Sequence, residues 1–155
     1  MHFDPTELVA LVPAMTSTTT PSGEVIISSE LSSAMGYMAF DRNSSTGWET
    51  NNDADPYIGY HFDTPRVVKQ VSYTNNSNSQ NPAYGISAFA FKASNDGSNW
   101  TTLGNFTIQS LVASTNQVFD INNDNGYTYY ALFRTAGGYT TGYMFGPSEL
   151  QFIGY

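Results

Sequence analysis

At 155 residues the chain has the length of one ordinary domain and is too short for two separate hydrophobic cores. Its formal net charge of −8 argues against a nucleic-acid partner, because the five Lys and Arg residues can displace few counterions from phosphates. Cysteine is absent, which excludes disulfides, thiolate zinc sites and cysteine nucleophiles.

The first 22 residues differ in character from the rest of the chain. A short apolar stretch at residues 8–12 ends at Pro13 and is followed by a Thr- and Ser-rich run at residues 16–20. The first residues lack the basic start and the long apolar core of a secretory signal. No apolar run reaches the roughly 20 residues that cross a bilayer. We predict a lead-in arm or linker over residues 1–22 and one domain over residues 23–155. A docking peptide for an assembly partner is the alternative interpretation of the arm.

From residue 24 onward, short runs of strand type are separated by turns rich in Gly, Pro, Asn and Asp. Within one run, Ile58, Tyr60 and Phe62 alternate with other residues, a period of two that is typical of half-buried antiparallel strands. No stretch keeps a helical period for ten residues, so the chain is predicted to be all-β. The predicted strands are residues 24–28, 57–62, 66–73, 87–94, 117–121, 128–134 and 149–153.

Three segments of the chain carry a family resemblance in their order and spacing. Residues 39–48 contain Ala, Asp, Asn, Thr and Trp at spaced positions, and residues 57–68 read as a strand, a Pro-containing turn and a strand. Residues 89–102 read as a strand, an Asn-Asp-Gly hairpin turn and a second Trp. These segments, with 148–152, resemble the discoidin or coagulation-factor type C family. The resemblance implies an antiparallel β-sandwich of jelly-roll type with a galactose-binding-like fold.

The two tryptophans and three departures from the family pattern bear on the site. Trp48 and Trp100 are predicted to pack in the core, with sugar stacking as the alternative. Arg42 stands where the family often has Gly, which should leave the fold intact, and His61 stands where it often has an acid. Glu49 stands where a polar ring such as His often follows the first Trp. A galactose-binding pattern therefore does not transfer directly.

The turn after residue 40 is a candidate calcium site. Calcium needs several oxygen ligands, and a tight turn supplies backbone carbonyls beside Asp and Thr side chains. In the resembling family a carboxylate from the closing strand completes the site. The resemblance implies the side chains of Asp41 and Glu149, the backbone of Asn43, the carbonyl of Phe40 and both kinds of oxygen of Thr46. The alternative is a metal-free turn in which the aspartate caps backbone N–H groups.

Sugar recognition needs a flat ring for the C–H face of the sugar and polar groups for its hydroxyls. The loops of this chain contain both, and by the resemblance they gather at one end of the sandwich. The alternative is a set of ordinary solvated loops. The predicted platform is Tyr139 or Tyr143, and the predicted polar contacts are Glu49, Asn51, Asn75 and Asn76.

The sequence contains no recognisable catalytic constellation. His2 lies in the arm, His61 lies on a predicted strand, and the pair Asp53 and Asp55 lies in a turn with no partner base. The run at residues 120–126 only partly matches a calcium loop and is predicted to be a solvated turn. We therefore predict a protein that is not an enzyme.

These features together predict a non-catalytic carbohydrate-binding module with a structural calcium ion, acting in adhesion to cell-surface or extracellular glycans. The lead-in resembles segments that precede such domains in bacteriophage tail and fibre proteins, so the expected location is extracellular or on a virion surface. One alternative is a phage structural or decoration protein that docks on other virion proteins or on copies of itself. A second is a membrane-surface module with residues 143–145 as its tip, although the net charge of −8 argues against anionic membranes.

Overall fold

The computed structural model describes residues 7–76, 84–138 and 144–155. Within these ranges the chain forms nine strands and one short 3₁₀ helix, Gly36–Ala39, and none of its helical structure is long and apolar enough to span a bilayer. The strands are β1 (Val9–Ala10), β2 (Glu24–Ile27), β3 (Tyr57–Arg66), β4 (Val68–Thr74), β5 (Ala88–Ser94), β6 (Thr101–Thr107), β7 (Asn116–Asp120), β8 (Tyr127–Ala136) and β9 (Glu149–Gly154).

The strands form two antiparallel sheets that pack face to face. One sheet has the order β1-β9-β4-β7 and the other has the order β2-β3-β8-β5-β6. Rings from the two sheets meet in the core, where Phe91 of β5 contacts Phe152 of β9 edge-on at 5.4 Å between centroids. The predicted all-β sandwich is therefore confirmed.

The alternating pattern correctly identifies the inward side of β3. Ile58, Tyr60 and Phe62 are at most 4% exposed, and they pack with residues from both sheets. Trp48 is fully buried, as predicted. Trp100 differs, because it is half-buried and its ring packs edge-on against residues on the outer face of β8. An apolar contact on the solvent side of the sheet therefore replaces the core position expected for this second tryptophan.

Each of the seven predicted runs corresponds to a strand, with shifted ends, and two strands were missed. β1 has two residues, and β6 has a mixed sequence that contains Gly104. The connection from β5 to β6 also differs from the expected tight hairpin. Gly97 alone of its three turn residues has a positive φ, and Asp96 accepts hydrogen bonds from the backbone of Ser98 and Asn99. The connection is therefore a longer loop organised by an aspartate side chain.

Part of the lead-in segment contributes to the sandwich. β1 pairs with β9, and Val12 and Met15 are each 1% exposed within the main hydrophobic cluster. The Arg42 guanidinium and the Gln151 amide both donate to the Val12 carbonyl, at 3.1 and 3.0 Å. The boundary between residues 22 and 23 stays a prediction, but residues on both sides of it share one core.

Candidate functional site

The loops that follow β2, β4 and β8 leave from the same end of the sandwich. In one sheet the ends of β2 and β8 lie beside the beginnings of β3 and β5, and in the other the end of β4 lies beside the beginning of β9. The Trp48 N–H donates to the Pro147 carbonyl, and this bond joins the loop end of one sheet to that of the other. Two distant segments then pair with each other at this end. Thr50 donates its backbone N–H to Met144, Met144 donates back to the Thr50 hydroxyl, and Gly146 donates to the Trp48 carbonyl. This ladder holds the candidate site in place.

Trp48 fixes the position of the ladder. Its indole Nε1 donates to the Ser29 carbonyl at 2.7 Å, and its ring is fully buried. The ring lies so close to Gly146 that a Cβ atom on this glycine would overlap Cε3 of the indole. The tryptophan therefore supports the backbone of Glu49, the next residue, from below the surface.

A cavity of about 270 Å³ opens beside this ladder. Its wall combines one carboxylate, one amide and one aromatic ring, from Glu49, Asn76 and Phe145. Such a wall offers hydrogen-bond donors, acceptors and an apolar face to one ligand. The remaining side chains that line it are mostly hydroxyls, from Ser33, Ser44, Ser45, Thr46 and Ser148.

The structure brings two of the predicted sugar contacts together and separates two others. Glu49 and Asn76 both line the cavity. Asn51 is exposed outside the cavity wall, and its backbone N–H donates to Ser29. The predicted platforms, Tyr139 and Tyr143, lie outside the described residues.

Asn75 is part of the framework of the loops. It is 2% exposed, and its amide nitrogen donates to the carbonyls of Ser110 and Val112. Gln117 of β7 donates to its side-chain oxygen at 3.5 Å. These bonds anchor the backbone that presents Asn76 to the cavity.

Glu49 brings a negative charge to the cavity wall. Its backbone pairs with the loop at residues 31–34, through Leu31 and Ala34 at 3.1 Å each. The carboxylate is half-buried, and burial raises the pKa of Glu49 from its ordinary value. Among the described residues, none donates a hydrogen bond to this carboxylate. It is therefore an acceptor open to the cavity.

A pair of acids, Asp41 and Glu149, adjoins two residues that line the cavity, Thr46 and Ser148. Asp41 accepts a hydrogen bond from the Asn43 backbone at 2.9 Å, and the Thr46 hydroxyl lies within hydrogen-bond distance of both residues. Burial and the neighbouring Asp41 carboxyl raise the pKa of Glu149 to about 8, and the backbone N–H groups of Asn43 and Arg42 act in the opposite direction. Two half-buried acids so close together favour either a shared proton or a bound cation.

The oxygen donors around Asp41 and Glu149 fit a hard cation. Oε1 of Glu149 is buried and accepts no hydrogen bond from the described residues. The Phe40 carbonyl accepts from the Met15 N–H, and its second lone pair is left for another partner. No three acidic or histidine side chains converge anywhere in the described ranges, so further ligands would be backbone and hydroxyl oxygens. This is the composition expected of a calcium turn.

The residues considered for catalysis have structural partners. Asp53 accepts hydrogen bonds from the Ser29 hydroxyl at 2.8 Å and from the Asp55 backbone at 3.0 Å. The His61 ring stacks on Tyr129 with centroids 3.8 Å apart. Both arrangements fit the turn and strand positions predicted for these residues.

Phe145 was not predicted from the sequence as a lining residue and was considered only as part of the tip in the alternative membrane-surface interpretation. It lines the cavity because its backbone bridges to both Glu49 and Gly85. Both partners are far from Phe145 in the sequence, so no local sequence pattern predicts this pairing. The short apolar run at residues 143–145 was the one available signal, and it fits two different roles.

Comparison with known proteins gives one family and several similar folds. The model of the F5/8 type C domain matches residues 24–137. The F5/8 type C domain of a Bacteroides fragilis protein has a TM-score of 0.74 at 15% identity, over 95% of this chain and 96% of that one. The family 32 carbohydrate-binding module of NanJ from Clostridium perfringens, in complex with galactose, has a TM-score of 0.72 at 15% identity, over 95% and 99%.

A third similar structure is the chitosan-binding module 1 of a chitosanase/glucanase from Paenibacillus sp. IK-5. Its TM-score is 0.64 at 20% identity, over 84% of this chain and 93% of that one. At these identities the solved structures show a shared fold. No curated protein matches the sequence.

Proposed function

The chain belongs to the F5/8 type C domain family, and on that basis we propose that it is a non-catalytic module that binds carbohydrate in the cavity beside Glu49. The observation that carries the proposal is the mixed wall of this cavity. A carboxylate, an amide and several hydroxyls match the hydroxyl groups of a sugar, and the Phe145 ring matches its C–H face. At about 270 Å³ the cavity is close to the lower end of small-molecule sites, roughly 300–1,000 Å³, so it suits a single sugar ring.

Two similar structures support a saccharide as the ligand class. One was solved with galactose, and the other is a chitosan-binding module. Both have the same sandwich, whose loops meet at one end in this chain. A cell-surface or extracellular glycan is the corresponding partner, and adhesion is the corresponding role. The corresponding location of this chain is outside the cell or on a virion surface. Tyr139 and Tyr143, which lie outside the described residues, remain proposed platforms in addition to Phe145.

We further propose that a structural calcium ion is held by the turn and the first residue of β9. Asp41 and Glu149 would ligate it by their carboxylates, Thr46 by both its oxygens, and Asn43 and Phe40 by their backbone. The buried Oε1 of Glu149, which accepts no hydrogen bond from the residues that the structure describes, supports this proposal. A bound dication neutralises the two acids and ties β9 to the turn.

The test is a glycan array followed by titration of the hits, with and without calcium. We expect Phe145→Ala to weaken binding about fivefold, because an aromatic contact contributes about 1 kcal/mol beyond its buried area. Phe133→Ala is the matched control, since Phe133 is also half-buried but lies on the outer face of β8. Thermal melts report whether both variants fold. Equal binding by the parent and a folded Phe145→Ala variant contradicts the assigned site, and a parent that binds no glycan contradicts the function.

A further inference from the structure

The proposed carbohydrate site contains a carboxylate with no counter-charge. Glu49 is held at the cavity wall by its backbone pairing with the loop at residues 31–34 and with Phe145. Its carboxylate is half-buried and accepts no hydrogen bond from the part of the chain that the structure describes. An acceptor in this state favours a ligand that donates, and donors that carry a positive charge form the stronger hydrogen bonds.

The basic side chains that the structure describes are all placed elsewhere. None of the five Lys and Arg residues, all of which lie in the described ranges, lines the cavity. The one histidine in those ranges, His61, is stacked on Tyr129. Arg42 donates to the Val12 carbonyl, Arg134 donates to the Gly137 carbonyl, Lys69 pairs with Asp124, Lys92 lies over the Phe133 ring, and Arg66 is exposed at the end of β3.

The surroundings of Glu49 leave its negative charge without compensation. Thr46 and Ser148, which line the cavity, adjoin the acidic pair Asp41 and Glu149. If calcium neutralises that pair, as proposed, Glu49 keeps its own charge. The protein as a whole is also acidic, with a net charge of −8. The field at the cavity therefore attracts cations and repels anions such as uronic and sialic acids.

We propose that the cavity selects an amino sugar, a hexosamine whose protonated amine donates to the Glu49 carboxylate. This inference rests on the proposed carbohydrate-binding function and narrows its ligand class. The amine supplies the positive charge that no side chain of the cavity supplies. Asn76 and the cavity hydroxyls then pair with the sugar hydroxyls, and Phe145 packs on the ring.

The experiment compares matched ligands on the whole chain by calorimetric titration, at a pH at which the amine is protonated. The probes are the trimers of glucosamine and of N-acetylglucosamine, which differ in charge, together with galactose and glucuronic acid. We expect the glucosamine trimer to bind at least about tenfold more tightly than its acetylated form, a ratio typical of a charge-assisted hydrogen bond, and glucuronic acid to bind most weakly.

Two substitutions test whether Glu49 is responsible. Glu49→Gln keeps the size of the side chain, and we expect it to remove the preference, so that the variant binds the glucosamine trimer and the acetylated trimer within about twofold of each other. Glu49→Asp keeps the charge and is expected to keep the preference for the amine. Glu24→Gln is the control, because it makes the same charge change on β2, outside the cavity wall, and should change nothing.

The outcomes separate this inference from the function on which it rests. Binding of galactose or of the acetylated trimer without preference for the amine overturns the amino-sugar assignment and leaves carbohydrate binding in place. An equal loss of affinity in Glu24→Gln and Glu49→Gln overturns it as well, because the preference then comes from net charge. Failure to bind any of the sugars, or any glycan on the array, overturns both.

Discussion

Two acidic sites lie next to each other at the loop end of this sandwich, and they differ in one respect. In the first, Asp41 and Glu149 are close together, and one oxygen of Glu149 is buried without a hydrogen bond from the described residues. In the second, Glu49 stands alone at the wall of an open cavity. Paired and half-buried carboxylates suit an ion that stays bound, because the ion relieves their repulsion. A single carboxylate facing a cavity suits a ligand that exchanges.

The largest expected effect comes from a substitution that removes the proposed calcium site of Asp41 and Glu149 and leaves Glu49 in place. Glu149→Gln is expected to abolish the stabilisation by calcium, because one of the two carboxylates is lost. In the parent, calcium at a hundred times its Kd stabilises the fold by about 2.7 kcal/mol. In a chain of this size each kcal/mol shifts Tm by roughly 2–4 °C. Thermal melts in calcium and in chelator measure this difference directly.

The control for this prediction is Glu49→Gln, which should keep the full calcium shift because its acid belongs to the other site. In chelator, Glu149→Gln should melt close to the parent, since the amide resembles the protonated acid that the raised pKa favours there. A parent whose Tm is the same in calcium and in chelator rules out the structural ion.

The next effect tests the support that lies under the cavity. Gly146→Ala would drive a Cβ into the Trp48 indole, and overpacking of this kind costs about 1–3 kcal/mol. The shifted indole would also move the backbone of Glu49, so sugar affinity should fall with stability. Chemical denaturation and sugar titration of the folded variant measure the two losses.

Gly126→Ala provides the comparison for that substitution. A Cβ on Gly126 would meet its nearest atom, Cβ of Pro65, at 3.3 Å, and its φ is not in the left-handed region. We expect little loss of stability and none of sugar binding. If the two alanine variants behave alike, the contact between Gly146 and Trp48 does not organise the cavity.

The turn with Asp41 could be predicted from the sequence better than the cavity with Glu49, for a physical reason. The turn residues from Phe40 to Thr46 lie within seven consecutive positions, so a local motif contains most of that site. Arg42 shows why Gly is frequent at its position in the family, since its φ of +59° lies in the left-handed region. The calcium ion itself stays a proposal, but the turn that would hold it was visible in the sequence.

The cavity could not be assembled from sequence, because its wall comes from segments separated by most of the chain. Asn75 and Asn76 illustrate the difficulty: they are identical neighbours in one loop, and one is buried in the framework while the other lines the cavity. Outside regular strands no period tells which side chain faces inward. Alternation did identify the inward residues of β3, where the strand itself imposes a period of two.

The smallest expected effect tests whether the two sites act independently, at a residue that belongs to both. The Thr46 hydroxyl contacts Asp41, and the same residue lines the cavity. Thr46→Val keeps the volume of the side chain and removes one hydrogen-bonding oxygen, a net loss of about 1 kcal/mol. We therefore expect calcium affinity to fall about fivefold. Sugar affinity should stay unchanged, because the Thr46 hydroxyl is already engaged with Asp41 and the Asn43 carbonyl, and because the cavity wall keeps its shape and Glu49 keeps its charge.

Titrations of calcium and of the glucosamine trimer on the same preparation measure the two affinities of Thr46→Val. Thr46→Ser keeps the hydroxyl, so it should bind calcium as the parent does, and this separates loss of the oxygen from loss of the methyl group. If sugar affinity falls together with calcium affinity in Thr46→Val but not in Thr46→Ser, the ion positions the cavity wall. The two acidic sites would then form one coupled unit, in which the carboxylate pair sets the geometry that Glu49 offers to the ligand.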